Sequence, residues 1–384
     1  MRALCLLGAR CVRLALGERR AAPSRLTGDR GWEAPTGREA RAAHPRAREA
    51  RANQTQRVSL PELVESVDLC LPSGRLDPRA VGYSRRPLTR TNLRGWGRNK
   101  RWEYWGIVTP THVLGVTIAD LDYAGLGQLY LLDRATGHER EHTAVTPLGR
   151  EIELPDHPPP IRARARGRGL RLELTDEEDG TRLRGEGGGI ELDLFAEAGG
   201  DRLCVVVPWS ERRFQYTVKD VARSVRGSLR VDGAPIPVPA GASWAVLDRG
   251  RGRWPYRITW NWGAGSGVVD GRRVGLQLGG KWTTGTGSTE CALVVDGRLS
   301  YMPIEPAWSY DGGDGSRPWR VHGERVDATL TPFHVREARV EALLLSTATR
   351  QAFGTWAGWA SDESGARVRL DGLVGWAEEV TNRW

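Results

Sequence analysis

The chain has 384 residues, 56 Lys and Arg against 47 Asp and Glu, and 16 tryptophans beside 2 methionines and 4 phenylalanines. That length can bury a large core in one large or two medium domains. Of the formal net charge of +9, residues 1–56 hold +7, with 12 Arg against Glu18, Asp29, Glu33, Glu39 and Glu49, so about +2 is left for the rest, which argues against an overall phosphate-binding field and against nucleic acid as a partner.

The five cysteines, Cys5, Cys11, Cys70, Cys204 and Cys291, show no CxxC or Cys/His grouping, so neither a metal nor a closed disulfide framework is expected. Reduced, buried thiols point to a cytoplasmic location. The apolar start is broken by Arg10 and Arg13, which leaves it unsuited as a secretory core or a membrane span. Residues 1–56 lack sustained periodicity and read as a disordered, arginine-rich extension.

From residue 57 the text becomes turn-rich, and short apolar runs follow one another closely. IRARAR (161–166) and LRLELT (170–175) alternate apolar with charged residues, as strands with one wet face do. Asp232-Gly233, Asp270-Gly271, Asp296-Gly297 and Asp371-Gly372 are hairpin signals. Helix signals are thin: residues 208–216 and 218–225 have room for a short turn or two. The expected fold is all-β and antiparallel, two barrels or sandwiches side by side. Residues 57–240 form the first unit and 241–384 the second, with the proline-rich 233–239 as the junction.

Residues 91–105, TNLRGWGRNKRWEYW, concentrate three tryptophans with Tyr104 and the cations Arg94, Arg98, Lys100 and Arg101. On a strand, Trp102 and Tyr104 take one face and Arg101, Glu103 and Trp105 the other. Glu103 among these rings is a candidate proton donor; the plainer reading pairs it with Arg101. In WPYRITWNWGAGSG (254–267), Trp260 and Trp262 share a face and Asn261 takes the opposite one. GAGSG lacks the GK[ST] ending of a phosphate loop. Lys281, Trp282 and Glu290 form a third group, in which the lysine and glutamate act as acid, base or anchoring charge, or pair with each other at a barrel mouth.

Asp120 and Asp122 are too few for a metal, and His138 and His142 have no third ligand. No GxSxG, HExxH or dinucleotide fingerprint follows a strand, so no cofactor is expected.

The stretches VDLCLPSGRLDPRAVGYSRRPLTRTNLRGWGRNKRWEYWGIVTPTHVLGVTIADLDYAG and DGRRVGLQLGGKWTTGTGSTECALVVDGRL closely resemble the bacterial domain-of-unknown-function family numbered 2804, over roughly residues 60–384. More distantly, WEYW and the closing GLVGWAEEVTNRW are similar to the Trp-rich opening strand and the terminal G-aromatic-x-E strand of two-barrel lipocalin-like (calycin) proteins, which include carotenoid hydratases and polyene cyclases. The likeness implies two β-barrel units with an apolar ligand within or between them. No GxW precedes the first strand in the usual lipocalin form.

These observations set the expected function as intracellular binding of an apolar or amphipathic small molecule in a Trp-lined pocket, with acid–base chemistry of a hydratase, isomerase or cyclase kind. Glu103 and Glu290 are the candidate catalytic residues; Trp102, Tyr104, Trp105, Trp260, Asn261, Trp262, Lys281 and Trp282 the candidate ligand contacts. A rival reading makes Glu103 and Glu290 the carboxylate pair of a glycosidase, with tryptophans as sugar platforms. A third is a structural module with no small ligand.

Overall fold

The antiparallel ladders predicted by alternation and Asp-Gly turns are present almost throughout. The computed structural model describes residues 60–342 and 345–383; the extension expected at 1–56 lies outside them. Among the described residues the one helical turn is a 3-10 turn at Pro78–Ala80. The strands form two large curled sheets, one of 14 strands and one of 10, plus a two-stranded pairing near the start. Both belong to one compact unit. The turns at Asp232-Gly233, Asp270-Gly271 and Asp296-Gly297 have both central residues at positive φ, as tight two-residue hairpins require.

At the centre of the first sheet, Asn99–Val108 pairs with Trp244–Arg253, which pairs in turn with Arg213–Val231. The first sheet therefore continues beyond the proline-rich segment. The chain turns at 233–239, re-enters the first sheet as Trp244–Arg253, and starts the second sheet with Arg257–Val269. The chain thus passes from the first sheet to the second at residues 254–256.

The short turn expected at 218–225 is a β-bulge. Arg213–Val231 is one strand of 19 residues whose register slips between Asp220 and Arg223, with Ala222 at φ 57°. The slip bends the strand so that its first half pairs with Trp244–Arg253 and its second with Ile190–Glu197. The bulge also seats the second sheet: Ala222 N donates to Ser266 Oγ (3.0 Å), and Val221 lies where a side chain at Gly275 would stand.

Alternation along the central strands separates three layers. Trp105, Ile107 and Leu247 face inward in the first half-barrel with Leu172, Leu183 and Leu194. Leu276, Trp319, Leu330 and Trp356 fill the second. Between the sheets lie Val246, Trp262, Ala264, Phe353 and Trp376. Gly106 is required here, because a Cβ at that position would overlap the Trp376 ring.

Trp105 is fully buried and Trp102 only partly covered. Trp105→Ala is therefore expected to cost about 3–5 kcal/mol in urea denaturation. Trp102→Ala should cost clearly less.

Candidate functional site

Register decides which charges meet. Glu103 pairs with Arg249 across the ladder and Tyr104 with Asp248, while Asp248 pairs with Lys219 on the next strand. Adjacent residues point to opposite faces. Glu103 and Arg249 consequently enter the first half-barrel, and Tyr104, Asp248 and Lys219 enter the space between the sheets.

Four buried ionisable groups meet in that space. Lys219 Nζ lies 2.9 Å from Asp248 Oδ1 and 3.5 Å from Glu290 Oε2, and 4.6 Å from the centre of the Trp262 ring. Glu378, from the second sheet, accepts from Trp260 Nε1 (3.1 Å) and Gln351 Nε2 (2.9 Å). Glu290 is buried, and the Trp282 side chain and Lys219 act on its carboxyl as donors. Burial pushes the Glu290 carboxyl up to about 7, against the pull of Lys219 and with the added push of Asp248. Burial likewise raises Glu378 to about 7, opposed by the Trp260 hydrogen bond and Lys219. For Lys219 burial is the largest single influence and lowers its pKa, but Asp248 and Glu290 together outweigh it and keep the ammonium charged. One fixed ion pair thus stands beside two carboxyl groups poised to exchange protons near neutral pH.

The quartet lies beside partly exposed faces of the two sheets, and these faces define a cleft by their exposure. On the first-sheet side, Trp102, Tyr104, Thr117, Ala119, Leu126 and Gln128 share one face, and all remain partly open. On the facing side Trp260 is partly open, and Glu378 keeps 7% of its surface. Tyr104 stands edge-on to Trp262 (5.7 Å) and Trp376 (6.1 Å), and Arg336 covers Tyr130 at 4.2 Å. At the tryptophan end, Trp254 meets Trp102, Trp260 and Trp282 at 4.8, 5.6 and 5.5 Å, and Trp209 packs on Trp282 at 5.7 Å. The result is an aromatic wall leading to two protonatable carboxyls, the usual makeup of a small-molecule site.

Of the residues expected from sequence, Trp102, Tyr104, Trp260, Trp262, Trp282 and Glu290 come together at this cleft. The others do not. Trp105 is buried on the opposite face of its strand, in the first half-barrel. Asn261 donates to Tyr310 Oη (3.0 Å), and Tyr310 joins Lys281 and Glu379 on the other face of the second sheet.

Both expected ion pairs are exchanged. Lys281 pairs with Glu379, whereas Glu290 pairs with Lys219. Glu103 takes Arg249 through two hydrogen bonds of 3.1 Å, and Arg101 turns to Asp122 and Asp156. In each case the partner comes from a segment distant in the sequence. Glu103 and Glu290 also lie on opposite faces of the first sheet, so they cannot flank one glycosidic bond.

Lys219, Asp248 and Glu378 were not singled out from sequence. Two signals pointed to them: Glu378 is the glutamate of the closing G-aromatic-x-E segment, and Lys219 is one of only three lysines in an arginine-dominated chain.

Fold and site together define an antiparallel protein of two curled half-barrels with a charged, aromatic cleft between them. The chain belongs to the DUF2804 family, a domain of unknown function, which matches residues 61–384. No curated protein matches it. Among solved structures it is similar to a protein assigned as AttH from Nitrosomonas europaea, with 14% identity, 73% of this chain and 92% of that chain covered, and a TM-score of 0.46. It is also similar to kievitone hydratase from Nectria haematococca, with 12% identity, 75% and 89% covered, and a TM-score of 0.44. CghA with Sch210972 matches at 11% identity, with 77% and 89% covered and a TM-score of 0.44.

Two outcomes follow from the charges. Glu103→Gln breaks a buried pair and is expected to cost about 3–5 kcal/mol in denaturant unfolding, while ligand titrations at the cleft stay unchanged. Loss of ligand response without loss of stability would reassign Glu103 to the site. The second outcome concerns pH. The folded chain holds protons on Glu290 and Glu378 up to about 7, whereas the unfolded chain releases them near 4.5. Stability from these groups is therefore full below 4.5 and is lost as pH rises through 7, by about 3 kcal/mol for each group. Glu290→Gln and Glu378→Gln should each flatten that decline in melting temperature measured from pH 4.5 to 8.

Proposed function

We propose that the cleft binds an apolar or amphipathic small molecule along Trp102, Trp260 and Tyr104 and performs acid–base chemistry on it at Glu290 and Glu378. The observation that carries this reading is the meeting of the buried Glu290 and Glu378 carboxyls with the Lys219–Asp248 pair beside the partly open Trp102, Tyr104 and Trp260, burial raising both carboxyls to about 7. A group titrating near the working pH is both present as acid and effective as a proton donor.

The fitting reactions are hydration, isomerisation or cyclisation. In a hydration, one protonated carboxyl gives its proton to a carbon of an unsaturated bond. Water adds to the adjacent carbon, and its surplus proton passes to the other carboxyl in its ionised form. Lys219, held by Asp248, limits the negative charge that accumulates. Gln351 and the Trp260 indole N–H orient Glu378. The buried, free thiols of Cys70, Cys204 and Cys291 support an intracellular, cytoplasmic setting. No helix among the described residues is long and apolar enough to cross a membrane.

Native mass spectrometry with lipid extraction, on protein purified from its own cells, should release a lipophilic species. Tryptophan emission should respond to the matching member of a fatty-acid and isoprenoid panel. Glu378→Gln should then keep that binding within about threefold, the span of a neutral carboxyl-to-amide exchange, and convert the bound species more than roughly a hundredfold more slowly. No extracted species and no response across the panel would overturn the reading.

A further inference from the structure

The tryptophan end of the cleft is bordered by four turns, at residues 73–76, 94–98, 210–213 and 253–256. Arg253 ties three of them together: its Nε donates to Asn99 Oδ1 (3.1 Å), its Nη1 to Gly74 O (3.2 Å) and its Nη2 to Arg94 O. Arg75 ion-pairs with Glu211, and Leu76 N donates to Glu211 O at 2.8 Å. Trp254 follows Arg253 directly and Trp209 precedes Ser210, so this rim is continuous with the five-tryptophan cluster.

The rim has an unusual surface. Trp96 stands 66% exposed on a tip between Gly95 and Gly97, both at positive φ, and Tyr256 is 48% exposed. Arg94, Arg98 and Arg212 are exposed around them, and Arg213 lies beside Arg98, Arg212 and Arg253 closely enough to feel their repulsion. The nearby acids are already engaged. Glu211 serves Arg75, and Asp122 accepts from the backbone of Arg98 and Asn99 and from Arg101. Residues 57–384, with a net charge of only about +2, therefore gather cations at one edge, around a large ring held out in water.

We propose that this rim docks on an anionic lipid bilayer, with the Trp96 indole entering the headgroup layer and the arginines meeting lipid phosphates. An indole with an apolar body and one N–H is most favourably placed at such an interface. Each basic residue near an anionic surface adds to the attraction. The glycine-flanked tip lets the ring reach out without moving the sheet. The docked rim sets the tryptophan end of the cleft against the membrane, where an apolar ligand is held. The inference rests on the rim alone and stands whether or not the cleft carries out acid–base chemistry.

Co-sedimentation of the full chain with phosphatidylcholine vesicles, with and without phosphatidylglycerol, tests it. Binding is expected only with phosphatidylglycerol and should weaken with salt. Trp96→Ala should lower the partition coefficient roughly tenfold through lost apolar burial. Arg94→Ala and Arg98→Ala should each lower it roughly fivefold. All three side chains are exposed, so melting temperatures and vesicle-free ligand titrations should stay at the wild-type value and read the cleft separately. The proposal is overturned by absence of vesicle binding, or by binding that these substitutions leave intact, which would assign it to the arginine-rich residues 1–56. It is equally overturned if the arginine variants lose binding, Trp96→Ala keeps it, and single-stranded RNA displaces the vesicles, because the rim would then serve a soluble polyanion.

Discussion

The ladder between Asn99–Val108 and Trp244–Arg253 is the constraint from which the rest follows. It joins segments more than a hundred residues apart and closes the middle of the first sheet. Its register sends Glu103 and Arg249 to one side and Tyr104 and Asp248 to the other. A slip of one residue would exchange these sets and put the wrong charges in each layer. Burying an unpaired charge is costly, so each layer enforces the register as strongly as the apolar residues do.

The two charged layers differ in kind. In the first half-barrel Glu103, Arg249 and Asp176 satisfy one another, and Arg249 is held firmly charged by its carboxylates against the cost of burial. Between the sheets the balance is incomplete: Lys219 contacts Asp248 and Glu290, and burial outweighs the cations that act on Glu290 and Glu378. The lowest-energy answer to such an imbalance is to keep protons on the carboxyls, and this gives the site its capacity to exchange them. Structure and reactivity here have the same electrostatic origin.

Aromatic residues separate in the same way. Trp105, Trp319, Trp356 and Trp376 are fully buried and fill volume. Trp102 and Trp260 are partly open and line the cleft, while Trp96 is carried outside it on a glycine turn. The three lysines all sit over rings: Lys100 on Tyr123 at 4.4 Å, Lys219 on Trp262 at 4.6 Å and Lys281 on Tyr310 at 5.4 Å. Tryptophan content alone therefore marks no single role; exposure and neighbours assign one.

What the sequence by itself determined was local. Alternation in IRARAR and LRLELT, together with the Asp-Gly turns, dictated antiparallel strands, because side-chain period and turn dihedrals are properties of a few adjacent residues. The aromatic density of the separate stretches holding Trp102 and Tyr104, Trp260 and Trp262, and Trp282 with Glu290 was also legible, whereas their meeting is a product of the fold. The tertiary structure alone decided the pairing of charges, since a strand shows opposite faces at adjacent positions and only cross-strand register says which face meets which. That is why Glu103 met Arg249 and Asp248 met Lys219, and why Lys219 and Glu378 entered the site. It also decided that residues 218–225 are a bulge, because a register slip exists only between two strands.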